Sequence, residues 1–97
     1  MRESEYQRLL IKRLKTIFPG CVVLVNDPQR KQGVPDLTIL YGAKWAALEV
    51  KISKDAPKQP NQEYYVELLN RLSFSAFIHP GNEEEVLRDL QSAFRSS

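Results

Sequence analysis

Two short apolar runs joined by a glycine turn constrain this chain more than any other feature. Asp36 to Tyr41 and Lys44 to Ile52 flank Gly42-Ala43. Each run is short for a helix and rich in β-favouring residues, so the segment predicts a hairpin. An acid opens the first run, and Glu49-Val50-Lys51 lies near the end of the second, with the two acids thirteen positions apart. Residues i and i+2 of a strand share a face, so Glu49 and Lys51 point the same way. Three charged groups then meet on one surface of a sheet otherwise built from Leu, Ile, Val and Ala. Carboxylates in such surroundings are costly unless something pairs with them. The partner is either the lysine alone, in a cross-strand salt bridge, or the lysine together with a divalent cation.

The remaining elements follow from periodicity. Ser4 to Phe18 predicts an amphipathic helix with Tyr6, Leu10, Leu14 and Ile17 on its apolar face and Leu9 and Phe18 beside them, started by a Ser4/Gln7 capping box and stopped by Pro19-Gly20. Cys21 to Val25 predicts a buried strand, and Asn26 to Pro35 a polar loop. A loop from Ser53 leads to Pro60, which suits the first turn of a helix running to Leu72 on Tyr65, Leu68, Leu69 and Leu72. Phe74 to Ile78 is a fourth strand. Asn82 caps a last helix whose first turn holds Glu83, Glu84 and Glu85 and whose stripe is Val86, Leu87, Leu90, Ala93 and Phe94. The expected order is α-β-β-β-α-β-α: a single α/β domain with a mixed four-stranded sheet flanked by helices.

Composition narrows the function classes. The chain has 97 residues, 42% of them hydrophobic and 27% charged, enough for one modest core. No apolar run is long enough to span a bilayer, and the first residues lack the apolar stretch of a signal peptide. Cys21 is the only cysteine, which excludes a disulfide framework and a Cys-based zinc site and points to a reducing, cytoplasmic setting. Residues 1–58 carry eleven Lys/Arg against six Asp/Glu, and residues 59–97 three against six, so the first part can present a basic face to a polyanion. There is no phosphate-binding glycine loop and no Ser/His/Asp constellation, which leaves nucleotide use and acyl chemistry without support.

Around Asp36 and Glu49 the sequence adds further polar groups. Gly33-Val34-Pro35 precedes Asp36, a lead-in that directs the acid more tightly than a surface ion pair requires. Glu3 falls in phase with Tyr6, Leu10 and Leu14, so it is expected to face the sheet, whereas Glu5 is out of phase. Gln62 is in phase with Tyr65 and Leu69 and also faces inward. Hard oxygen ligands suit Mg²⁺ or Mn²⁺, and Asp36, Glu49 and the Val50 carbonyl form one such set. Arg30, Lys31, Lys54 and Lys58 lie in the flanking loops, placed for phosphate contacts. His79, the only histidine, stands at a strand end, where it serves as a site base or as a simple polar terminus.

Taken together, Glu3-x-x-Tyr6-Gln7, Gly33-Val34-Pro35-Asp36-Leu37, Leu48-Glu49-Val50-Lys51 and Pro60-Asn61-Gln62 resemble the PD-(D/E)XK nuclease superfamily, and within it the compact virus-type replication-repair nuclease (VRR-NUC) domains. The resemblance covers roughly residues 3–80. It implies a restriction-endonuclease-like core and a Mg²⁺- or Mn²⁺-dependent phosphodiesterase. Asp36 and Glu49 would be metal ligands, Lys51 the catalytic lysine, Glu3 the acid of the first helix, acting directly or through water, and Gln62 the helix glutamine. Stand-alone members of this size occur in phages and bacteria and resolve branched DNA such as Holliday junctions as homodimers. The expected partners are therefore DNA and a second copy, in the cytoplasm of a bacterium or a phage-infected cell, with no membrane and no nucleotide cofactor. The alternatives are a nicking, homing or restriction-type nuclease, or an inactive DNA-binding module on the same fold.

Overall fold

A computed structural model describes residues 1–96. The elements are α1 (Glu3–Ile17), β1 (Val22–Val25), β2 (Leu37–Tyr41), β3 (Lys44–Val50), α2 (Gln62–Leu72), β4 (Phe74–Ile78) and α3 (Glu83–Arg95), in the expected order. The sheet runs β1-β2-β3-β4. β1–β2 and β2–β3 are antiparallel, the latter across the Gly42 turn, and β4 lies parallel to β3 after the α2 crossover.

One face of the sheet carries Leu37, Ile39, Ala46, Leu48, Val50 and Ile78, all fully buried. Tyr6, Leu10 and Leu14 of α1 and Val86, Leu87, Leu90 and Phe94 of α3 pack with them into one core. Phe18, Tyr41 and Phe94 close one end of that core as a ring cluster, with centroids 5.0–5.5 Å apart. α1 and α3 are tied at the other end: the Tyr6 hydroxyl donates to Glu83 at 2.7 Å, and Arg13 bridges Glu83 and Glu84. The opposite sheet face carries Ala47, Glu49 and Ser75, and α2 lies over it.

Several local expectations need correction. α1 begins one residue before Ser4, and its first N–H groups bond to the Arg2 carbonyl, so the Ser4/Gln7 capping box does not form. Leu9 and Leu72 are exposed rather than packed. α2 starts at Gln62, after Asn61 in the left-handed region, which leaves Pro60 outside the helix. Asn82 does stand at the N-cap of α3, but its side chain bonds backwards, accepting from the His79 N–H and donating to the Phe77 carbonyl. The largest correction concerns β1. It is an edge strand with three of its four residues exposed, because only Val23 reaches the core while no helix covers the other side. A run of four apolar residues reads as buried on both faces, and here it is not.

Of the glycines, Gly33 has the tightest surroundings. It has φ +91°, and a Cβ there would lie 2.6 Å from the Asn61 Cβ. Gly42 also has positive φ (+60°) but faces open space. Gly33→Ala should therefore cost about 2–3 kcal/mol, combining backbone strain with displacement of Asn61, and Gly42→Ala only about 1 kcal/mol. Urea unfolding of the two variants measures the difference.

Candidate active site

The C-terminal end of β3 brings together Asp36, Glu49, Val50, Lys51 and Gln62. Asp36 stands just before β2, opposite Glu49 in the extended register. Its Oδ2 accepts from the Val50 N–H at 2.9 Å. The approach to it is held by Asn26, whose amide donates to the Pro35 carbonyl and to Thr38 Oγ1, both at 2.9 Å, while the Asn26 N–H donates to the Asp36 carbonyl. The close contact of Gly33 with Asn61 anchors the same loop to the start of α2. Asp36 is thus held by its own strand, its neighbouring strand and a helix terminus.

Glu49 is 2% exposed. Its Oε2 accepts from Gln62 Nε2 at 2.9 Å and lies 3.9 Å from Lys51 Nζ. Its Oε1 is buried and meets no N–H donor, with Asp36 as the acid beside the carboxyl. The Gln62 amide is oriented at both ends, because its Oε1 accepts from the Gln59 N–H at 2.8 Å. Burial, then the charge and hydrogen bond of Asp36, push the Glu49 carboxyl up to about 8, against the opposing pull of Lys51. Lys51 is itself buried, and its ammonium donates to the Pro57 carbonyl at 2.9 Å. The loop between β3 and α2 therefore closes over the lysine.

The other expected residues distribute as follows. Glu3 lies at this end of the molecule, and its charge reaches Glu49, but its side chain is exposed rather than turned to the sheet. Glu5, expected to face solvent, is half-buried and pairs with Arg2 at 3.1 Å. Among the described residues no three His, Cys, Asp or Glu side chains converge on one point. The side-chain oxygens gathered here are those of Asp36 and Glu49, and Glu3 is not a third member of that group. Arg30 and Lys54 are exposed in the two flanking loops. Lys31 lies over the Tyr65 ring, 5.8 Å from its centroid. Lys58 lies 4.6 Å from the Phe77 centroid and 3.8 Å from Glu63. His79 is a turn residue whose Nδ1 accepts from the Gly81 N–H. Sequence reasoning missed Asn26, Pro57 and Asn61. Of these only Asn61 left a trace, in the glycine at 33 whose close approach needed a partner.

The site fits a cation on two counts. Two acids lie side by side, so close that without a cation one of them keeps its proton, and the buried Glu49 Oε1 meets no N–H donor. No family model, no curated protein and no solved structure matches this chain.

A carboxyl raised from 4.5 to about 8 is held protonated in the fold while the unfolded chain ionises, so this group makes the metal-free protein less stable as pH rises between those values. The expected slope from Glu49 approaches about 1.4 kcal/mol per pH unit at most. Glu49→Gln should remove this dependence and melt at higher temperature than wild type near pH 8, with little difference near pH 5. Thermal melts of both proteins in EDTA across that range check it.

Proposed function

We propose that this chain is a metal-dependent DNA endonuclease that hydrolyses phosphodiester bonds in branched DNA. The observation that carries the reading is the pair of adjacent acids, Asp36 and the buried Glu49 whose Oε1 meets no N–H donor, with Lys51 on the same strand end. The four sequence motifs that resemble PD-(D/E)XK nucleases include all of these residues, which supports the reading from a second direction.

Asp36 and Glu49 would hold Mg²⁺ or Mn²⁺, with the Val50 carbonyl as the backbone oxygen beside them. When bound, the ion supplies a polarised phosphate oxygen and a water of lowered pKa. The protein's own groups do the rest. The Val50 N–H aims Asp36, and the doubly held Gln62 amide aims Glu49, so neither carboxylate must reorganise. The Lys51 ammonium offsets charge growing on the phosphorus as a water oxygen attacks in line and the 3′ oxygen departs. By the resemblance, the products carry 5′-phosphate and 3′-hydroxyl ends. Arg30, Lys31, Lys54 and Lys58 ring this end of the sheet in the two loops and supply contacts to phosphates that do not depend on sequence. Paired cuts in a junction need two such sites, and one chain carries one, so the active form is a homodimer.

Cleavage of a labelled four-way junction, beside linear duplex and single strand, in Mg²⁺, Mn²⁺ or EDTA, tests this. The expected result is metal-dependent junction cutting that falls about a hundredfold or more in Asp36→Asn and in Lys51→Met. Equal cutting of linear duplex retains the nuclease and removes the branch preference. Junction binding with no cutting in any metal assigns the chain to a DNA-binding module instead.

A further inference from the structure

The sheet is covered unequally. On the face that bears Glu49, α2 packs mainly over β4 and β3. Around α2, Val66 points into the sheet. Asn70 and Glu63 lean toward β4, since the Asn70 Oδ1 accepts from the Ser75 N–H and Glu63 pairs with Lys58 above Phe77. Tyr65 leans the other way, toward the Lys31 loop. The β1–β2 half of this face is left open, and it is floored by Val22, Leu24, Thr38 and Leu40, with Trp45 of β3 at its margin. Two strands at a spacing of about 4.8 Å leave a gap on the order of 10 Å, the diameter of one helix.

The helix of matching character is on the same chain. Tyr64, Leu68 and Leu72 recur at i, i+4 and i+8 along the side of α2 turned away from its own sheet, where a solvated helix would carry polar residues. Tyr64 and Leu72 are exposed, and Leu68 is half-buried. Val22, Leu24, Leu40, Tyr64 and Leu72 are between 39% and 66% exposed. Together they offer on the order of 500 Å² per chain, hence ~1,000 Å² between two copies before any rim, which reaches the size of a specific interface. The floor carries no cation, so a nucleic acid finds nothing there to hold its phosphates.

We infer that two copies pack face to face, each inserting the Tyr64–Leu68–Leu72 side of α2 over the open β1–β2 half of the other. Only a two-fold axis parallel to the strands places α2 over the partner's gap. It brings Leu72 of each copy over Leu40 of the other, because α2 ends beside Trp45, to whose carbonyl Ser73 donates, and Trp45 pairs with Leu40. The same axis sets both candidate active sites at one end of the dimer, where a single branched DNA can reach both. That last consequence rests on the proposed function, whereas the apolar surface does not. Failure of the dimer and failure of the nuclease are therefore read by separate assays.

Sedimentation of wild type, Leu40→Lys, Leu72→Glu and an equimolar mixture of the two variants tests the inference, with circular dichroism confirming that each is folded. Wild type should be dimeric at micromolar concentration. Each variant alone should weaken association about a hundredfold by burying an unpaired charge. The mixture should recover dimers, because the new ammonium at position 40 of one copy then meets the new carboxylate at position 72 of the other. A monomeric wild type, dimers indifferent to both substitutions, or a mixture no better than its components would each overturn it.

Discussion

The carboxylate of Glu49 is the constraint on which the rest of this structure turns. It sits on the central β3 strand, under α2 and opposite Asp36, where water does not reach it. Its two oxygens are treated differently: Oε2 accepts from Gln62, while Oε1 meets no N–H donor, and the neighbouring acid Asp36 shares the carboxyl's proton. An apolar residue in that position would suit the sheet better, since a buried acid costs stability and survives largely by holding its proton. The surrounding architecture is arranged around that cost. The α2 crossover delivers Gln62, the loop before it delivers the Pro57 carbonyl to Lys51, and the Gly33–Asn61 contact keeps both loops together above the strand ends.

This arrangement explains why the two flanking loops belong to the site as much as the strands do. The Asn26–Pro35 loop approaches Asp36, and the Ser53–Pro60 loop closes over Lys51. Between them they place four cationic residues at one end of the sheet. At the other end the ring cluster of Phe18, Tyr41 and Phe94 and an adjoining cavity of about 170 Å³ contain no carboxylate. The polarity of the molecule is thus longitudinal, with the paired acids and the lysine at the C-terminal end of β3 and packing at its start.

Much of the fold was legible because its signals are local. The hairpin follows from two short apolar runs and a Gly turn, and the three helices follow from apolar residues at helical spacing. The convergence of Asp36, Glu49 and Lys51 follows from strand alternation, and the inward turn of Gln62 from helix phase. The misread features depend on depth rather than direction. Glu3 has the azimuth of Tyr6 and Leu10, but it is the first residue of α1, one turn ahead of the buried stripe that starts at Tyr6, and its side chain is exposed. Val22 to Val25 is uniformly apolar, and such a run cannot reveal that one face lacks a covering helix. Pro57 contributes only a backbone carbonyl, which no residue type signals. Asn61 adopts a left-handed conformation that its sequence context permits without requiring.

The central claim, that Asp36 and Glu49 form a cation site, is tested most directly by calorimetric titration of the protein with Mn²⁺ near pH 7 in two buffers of different ionisation enthalpy. Glu49 is held protonated at that pH by a carboxyl raised to about 8, so an ion that binds there must displace its proton. The expected result is one binding event that releases close to one proton per ion in wild type and is lost in Asp36→Asn. Absence of binding, or binding that releases no proton and persists in that variant, would contradict the claim.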